Sequence, residues 1–215
     1  MGTDPEPMVA RLLQRYGTTF AREAGISLPR ETPSGLFRLL CASMLWGSRI
    51  SAQIGTRAAR ALFDHGWGTP RGMSRSSWSE RTMVLNRAGY ARYDESTSRR
   101  LGDMATSLLA DYQGDLRRLR QRAGRRPDQL RTLLTQFTGV GPVSVDIFFR
   151  EVQGLWSELY PFADQRALSA AQRLGLPAQA PALARLVAGA RFPELLAALV
   201  RVDLAKDFAS VTGQP

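Results

Sequence analysis

Of the residues able to do chemistry, the most specific grouping is Thr138-Gly139-Val140-Gly141-Pro142, set between two amphipathic runs. Glycines permit φ > 0, so the chain can reverse within a few residues, and their missing side chains let backbone N–H groups approach a ligand closely. Pro142 suits the first turn of the next helix, where its absent N–H loses nothing. The result is a cluster of free amides at a helix N-terminus, an anion site shaped for a DNA phosphate. Contacts of that kind position a protein and carry no sequence information. The same five residues also make an ordinary tight turn between antiparallel helices. Other reactive groups are scarce: one lysine (Lys206), one cysteine (Cys41) and one histidine (His65). A single cysteine allows no internal disulfide, no four-cysteine zinc site and no cysteine-ligated iron–sulfur cluster. Cys41, in an apolar stretch, reads as a small core residue. His65 alone makes no metal site, and no metal ligand set is expected.

The elements that must hold these residues read as helices. Met8, Leu12, Leu13 and Tyr16 share a helical face after an Asp4-Pro5 start. The apolar density from Leu36 to Met44 predicts a buried helix ending near Trp46-Gly47, and Ser51 opens another. Two helical stretches flank a break at 88–93. Pro127 and Asp128 open a helix with Leu130, Leu133, Leu134 and Phe137 inside; its partner from Pro142 carries Val145, Phe148, Phe149 and Val152 at i, i+3, i+4 and i+7. Further helices are predicted around 164–174, 181–189 and 193–209. No segment alternates like a strand, so the fold class is all-α. The 215 residues suffice for one domain or two small lobes, burying roughly 70% of the unfolded surface. No run approaches the ~20 apolar residues that span a bilayer, and the first residues lack a signal-peptide core. A soluble cytoplasmic protein, without membrane partners, is the expectation.

Charge adds a partner class. Of 29 basic residues 28 are arginine, and the net charge is +10. Residues 38–150 hold 19 arginines against nine acids, while both flanks are neutral. A basic segment between neutral ends suggests a footprint for a polyanion, most often nucleic acid. Seven arginines crowd into residues 117–131; that run can track phosphates or form a solvated connection.

The spacing L-x-x-F-x-G-V-G-P over residues 134–142 resembles the helix-hairpin-helix motif, and the resemblance extends both ways. Pro161-Phe162-Ala163-Asp164-Gln165-Arg166-Ala167, followed by Gln172-Arg173-Leu174-Gly175-Leu176, is similar to an aspartate segment that follows such hairpins. Leu45-Trp46-Gly47-Ser48-Arg49-Ile50-Ser51 resembles a helix–turn–helix that places a DNA-contacting side chain, and Gly89-Tyr90-Ala91-Arg92-Tyr93 a wedge loop. Together these cover about residues 36–176 in the order found in the helix-hairpin-helix (HhH-GPD) DNA glycosylase superfamily, closest to its endonuclease III branch.

That resemblance implies a two-lobed all-α fold with a cleft between lobes. Residues 36–153 would form a six-helix bundle containing the hairpin motif at about 128–153; residues 1–35 plus 154–215 would form the second lobe. It implies a monomeric base-excision repair enzyme, bacterial and nucleoid-associated, that binds duplex DNA with a flipped base. Gly139, Val140 and Gly141 would hold phosphate, Arg49 would fill the gap left by the base, and Tyr90 would wedge the opposite strand. Trp46, Phe137 and Trp156 are candidates to line a base pocket. Asp164 stands where the family keeps its catalytic acid. A carboxylate there would stabilise the oxocarbenium-like sugar and activate water, although Asp at that position can also be a helix N-cap. Bifunctional relatives carry a Schiff-base lysine where this chain has Val143, and Lys206 is far off in sequence. The implied activity is therefore a monofunctional glycosylase without lyase chemistry, iron–sulfur cluster or other cofactor, save a monovalent cation that hairpin carbonyls can hold. The alternative is a non-catalytic or structure-specific DNA-binding protein. No residue discriminates among alkylated, oxidised, deaminated or mispaired bases.

Overall fold

The computed structural model describes residues 5–212. Among them are fourteen α-helices and no strand. In chain order these are α1 (Glu6–Tyr16), α2 (Phe20–Glu23), α3 (Pro33–Trp46), α4 (Ala52–Leu62), α5 (Pro70–Arg75), α6 (Trp78–Arg87) and α7 (Asp94–Tyr112). They continue as α8 (Leu116–Arg122), α9 (Pro127–Thr135), α10 (Pro142–Val152), α11 (Gln165–Arg173), α12 (Ala180–Ala184), α13 (Phe192–Ala205) and α14 (Ala209–Thr212). No described helix is long and apolar enough to cross a membrane.

The chain divides into two compact units: a middle unit, Ala21–Phe148, and a terminal unit made of the chain through Phe20 together with the chain from Phe149. In the middle unit α3 is the hub. Ten of its residues, Gly35 through Leu45 apart from Arg38, are buried, and it packs on α4 and α8. Thr32 starts it by accepting the Gly35 N–H, with Pro33 in the first turn. Around it α6, α5 and α8 pack on α7. Ser77 and Glu80 form a reciprocal capping box that fixes the start of α6.

Arg81, only 6% exposed, staples this unit from inside. Its guanidinium donates to the carbonyls of Met73, Ser76 and Ser98, joining the end of α5 to α7. The staple needs a gap in α7: a Cβ on Gly102 would lie 2.5 Å from the Arg81 guanidinium.

In the terminal unit α13 packs on α1 and α11. Its residues Leu195–Val200 and Val202 are buried, which explains an apolar run with no clean polar face. α13 ends at Ala205, capped by Lys206 in the left-handed conformation, and α12 ends at Ala184; both stop short of the predicted 209 and 189. Helix ends follow local capping, which apolar periodicity does not encode.

Candidate functional site

The hairpin forms as its glycines require. α9 ends at Thr135, the Val140 N–H donates back to the Phe137 carbonyl at 3.0 Å, and α10 begins at Pro142 with the Val145 N–H on the Gly141 carbonyl. Gly139 has φ +86°, a conformation that L side chains rarely adopt. Space forbids a side chain there too: a Cβ would meet Arg100 Cδ at 2.7 Å and Met44 Cε at 2.9 Å. Gly141 has open space around it and an ordinary φ. Among the described residues the Gly139 and Gly141 amides find no protein acceptor. Val140 turns inward and is buried, so it anchors the turn while the flanking glycines face solvent. Arg131 and Asp146 pair at 2.6 Å and tie α9 to α10.

Two other segments of the middle unit meet this turn. The end of α3 reaches it at Gly47, where a Cβ would lie 2.7 Å from Ser144 Oγ in the first turn of α10. That contact seats the Gly47–Ser51 turn, and with it exposed Arg49, beside the hairpin. The Arg100 stem, from α7, lies on Gly139 itself and adds an exposed guanidinium. Sequence reasoning missed Arg100: it sits 39 positions before Gly139, and only the packing of α7 on the bundle brings them together.

The remaining candidates fall elsewhere. Tyr90 is 1% exposed, so its ring belongs to the core and is not free to stack on a base. The exposed side chains of its loop are Ala91 and Arg92. Phe137 is buried edge-to-face with Tyr112 at 6.0 Å, and Trp156 is wholly buried; both rings are core. Trp46 is half-buried, and its indole N–H donates to Thr56 Oγ1 at 3.1 Å. Val143 is 58% exposed on α10. Within the arginine run, Arg117 is held by Asp115, Arg120 by Glu31 and Arg131 by Asp146, and Arg122 lies over the Tyr112 ring. Arg118, Arg125 and Arg126 are exposed, and the Arg118 charge is felt by the Asp115 carboxyl, which it helps to hold below the usual range. The described residues contain no group of three or more His, Cys, Asp or Glu able to hold a metal ion.

Asp164 sits in the terminal unit, at the N-cap of α11. Its Oδ1 accepts the Ala167 N–H at 2.9 Å, and its Oδ2 accepts a hydrogen bond from Arg150 Nη1. Both residues are buried. Arg150 also faces Glu151 Oε1 at 3.4 Å and lies over the Phe20 ring. Gln153 fixes the loop before Asp164. Its side chain donates to the Phe162 carbonyl at 2.9 Å and accepts the Phe162 N–H at 3.0 Å, while the Phe162 ring packs edge-to-face on Phe149. A buried carboxylate held on both oxygens and paired with a guanidinium is a fixed anion, able to stabilise a neighbouring cation without reorganising.

Comparison with solved structures places the fold. A trapped endonuclease III–DNA covalent intermediate, an estranged-adenine complex, is similar to this chain at a TM-score of 0.51 and 16% identity, over 78% of this chain and 73% of the other. A non-covalent endonuclease III–DNA complex is similar at a TM-score of 0.56 and 14% identity, over 90% and 80%. The chain has the endonuclease III fold. At these identities the likeness lies in the backbone, which fits the all-α expectation. No protein-family model matches the chain, and no curated protein matches it in sequence. Within the endonuclease III fold, then, this chain carries a hairpin whose two glycine amides have no acceptor among the described residues, and a buried aspartate opening α11.

Proposed function

We propose that the protein is a monofunctional DNA glycosylase that removes a damaged, mismatched or modified base from duplex DNA. The observation that carries this reading is Asp164, an anion held at a helix start by Arg150 and Ala167 in a chain with the endonuclease III fold. The hairpin amides, Arg49 and Arg100 would bind phosphates and the gap beside an extruded base. Excision breaks the C1′–N bond, whose electron pair leaves with the base. Asp164 offsets the positive charge that develops on the sugar, water oxygen bonds to C1′, and the proton that water loses passes to solvent. With Val143 at the position of the family's lysine, no Schiff base forms and the strand stays intact. Duplex DNA with a flipped base is the proposed partner, the protein acting as a monomer. A monovalent cation on the hairpin carbonyls belongs to the same proposal.

The test is a set of duplexes, each carrying one lesion, incubated with wild type and Asp164→Asn. Strand breaks that appear only after alkali, and only with wild type, support the reading. Full activity of Asp164→Asn refutes the role of the carboxylate, and a borohydride-trapped covalent complex refutes monofunctional chemistry. One observation favours a second reading, a non-catalytic DNA-binding protein: N-cap and ion pair together give Asp164 a complete structural role. Under that reading no lesion is excised and binding persists in the variant.

A further inference from the structure

Both ends of the chain are neutral by count, yet the fold draws three cations of the terminal unit onto one carboxylate. Asp203, on α13, faces Arg166 Nε at 3.6 Å, Arg173 Nη1 at 3.3 Å and Lys206 Nζ at 3.0 Å. Arg166 and Arg173 are seven residues apart on α11, so they share one side of that helix with about 10 Å of rise between them. Lys206 is the residue that caps α13. Arg173 also lies over the Phe208 ring, 3.9 Å from its centre, which fixes the plane of the guanidinium. All three cationic side chains are more than half exposed, whereas that of Asp203 is 17% exposed. The acid sits beneath and the cations stand outward.

Clasping α11 to α13 takes one ion pair, and exposed pairs of this kind stabilise little. A second and a third cation on the same carboxylate repel one another, and three positive charges against one negative leave an excess. The neighbouring acids do not cancel it. α11 contains none, and Asp207 is taken by Arg15, Tyr16 and Ser210. Glu194 pairs with Arg191 about 13 Å back along α13, and Glu6 lies in the first turn of α1, at the other end from Arg15. Asp164 and Glu151 are buried on Arg150, and Glu158 lies in the short turn Ser157–Leu159, on neither helix. Arg11 and Arg201, on α1 and α13, donate to the carbonyls of Val211 and Thr18 and add only positive charge.

The donors are also unspent. Arg173 uses Nη1 on Asp203 and Arg166 turns only Nε toward it; among the described residues their remaining N–H groups meet no acceptor. A guanidinium already ordered, with part of its fork free, matches a phosphate. We infer that this side of α11 and α13 is a phosphate-binding surface, on which Arg166, Arg173 and Lys206 grip the backbone of duplex DNA. The helix that Asp164 caps would then hold the strand as well, and the terminal unit would join an interface argued so far from the middle unit. The inference rests on the duplex binding in the proposed function and is independent of excision.

The experiment measures binding of the full chain to an undamaged, fluorescently labelled duplex while salt is varied between about 50 and 200 mM. Arg166→Gln/Arg173→Gln should bind about tenfold more weakly or worse, and the slope of log affinity against log salt should fall by about two. Lys206→Gln should lower the slope by about one. The control is Arg185→Gln/Arg191→Gln, which removes the same charge from two exposed arginines of the same unit outside the cluster and should keep the wild-type slope. Equal losses in the two double variants would mean that only net charge matters, and an unchanged slope in the first would leave the cluster a mere clasp; either result overturns the inference. Thermal melts establish that each variant is folded. Should Arg166→Gln/Arg173→Gln not fold, Lys206→Gln decides, a lower slope supporting the surface and an unchanged one refuting it. Excision is scored separately on single-lesion duplexes. A wild type whose binding depends on the cluster but that excises nothing ends the glycosylase reading and keeps this inference. Excision with no dependence of binding on the cluster does the reverse, and a wild type that binds no duplex refutes both.

Discussion

Asp164 was legible in the sequence through its position after the hairpin, but its environment was not. Helical periodicity marks Val145, Phe148, Phe149 and Val152 as the inner face of α10 and leaves Arg150 and Glu151 outside it. Both are buried, through tertiary packing that leaves no local signal. For the aromatic candidates the residue type is plain in the sequence and the burial is not. Tyr90, Phe137 and Trp156 have the types that line base pockets, and in this chain all three are core, as large buried rings usually are. Cys41 is an inner residue in both readings. Burial pushes its thiol far above the ordinary range, leaving it protonated. A thiol reagent at neutral pH should therefore titrate one cysteine only after denaturant is added; stoichiometric reaction of the folded protein would mean that α3 opens readily.

At the scale of elements, the two hairpin glycines make separable predictions. Gly139 combines a positive φ with a Cβ position already filled by Arg100 and Met44, so Gly139→Ala should destabilise the fold by about 1–3 kcal/mol, read as a lower melting temperature. Gly141 has neither constraint. Gly141→Ala should melt like wild type but bind duplex DNA about tenfold more weakly, because the new methyl stands where a phosphate would meet the amide. Unchanged DNA affinity in that variant would remove the hairpin from the interface. The hairpin was readable in the sequence because its signal is local, two glycines and a proline between apolar runs. The Arg81 staple was not. It depends on a missing side chain at Gly102, 21 residues away, and on carbonyls from two helices and a loop. Replacing Arg81 with leucine leaves those carbonyls buried without a donor and should cost roughly 2–4 kcal/mol in denaturant unfolding.

Across the whole molecule, charge is the property that the sequence conveyed best. The middle unit holds 20 arginines against 11 acids, and several of its arginines, Arg49, Arg100, Arg118, Arg125 and Arg126 among them, lie exposed. Affinity for undamaged duplex should fall at least about tenfold between about 50 and 200 mM salt, and Arg100→Ala should lower the slope of log affinity against log salt by about one. The terminal unit contributes an acid-sensitive clasp. The Tyr16 hydroxyl at 2.5 Å, with Ser210 and Arg15, holds the Asp207 carboxyl below the usual range. The folded state then binds fewer protons than the unfolded one, so this stabilisation is complete above the ordinary carboxylate range and is lost as pH falls through the depressed value. Asp207→Asn should be less stable than wild type at neutral pH, with the difference vanishing in strong acid.

The central claim is that Asp164 performs glycosidic cleavage on a chain of endonuclease III fold. It is tested most directly by incubating wild type and Asp164→Asn with single-lesion duplexes and treating half of each sample with alkali. The account predicts that wild type yields alkali-dependent breaks at one class of lesion, and that Asp164→Asn binds the same duplex without producing them. Excision by Asp164→Asn at the wild-type rate would contradict it.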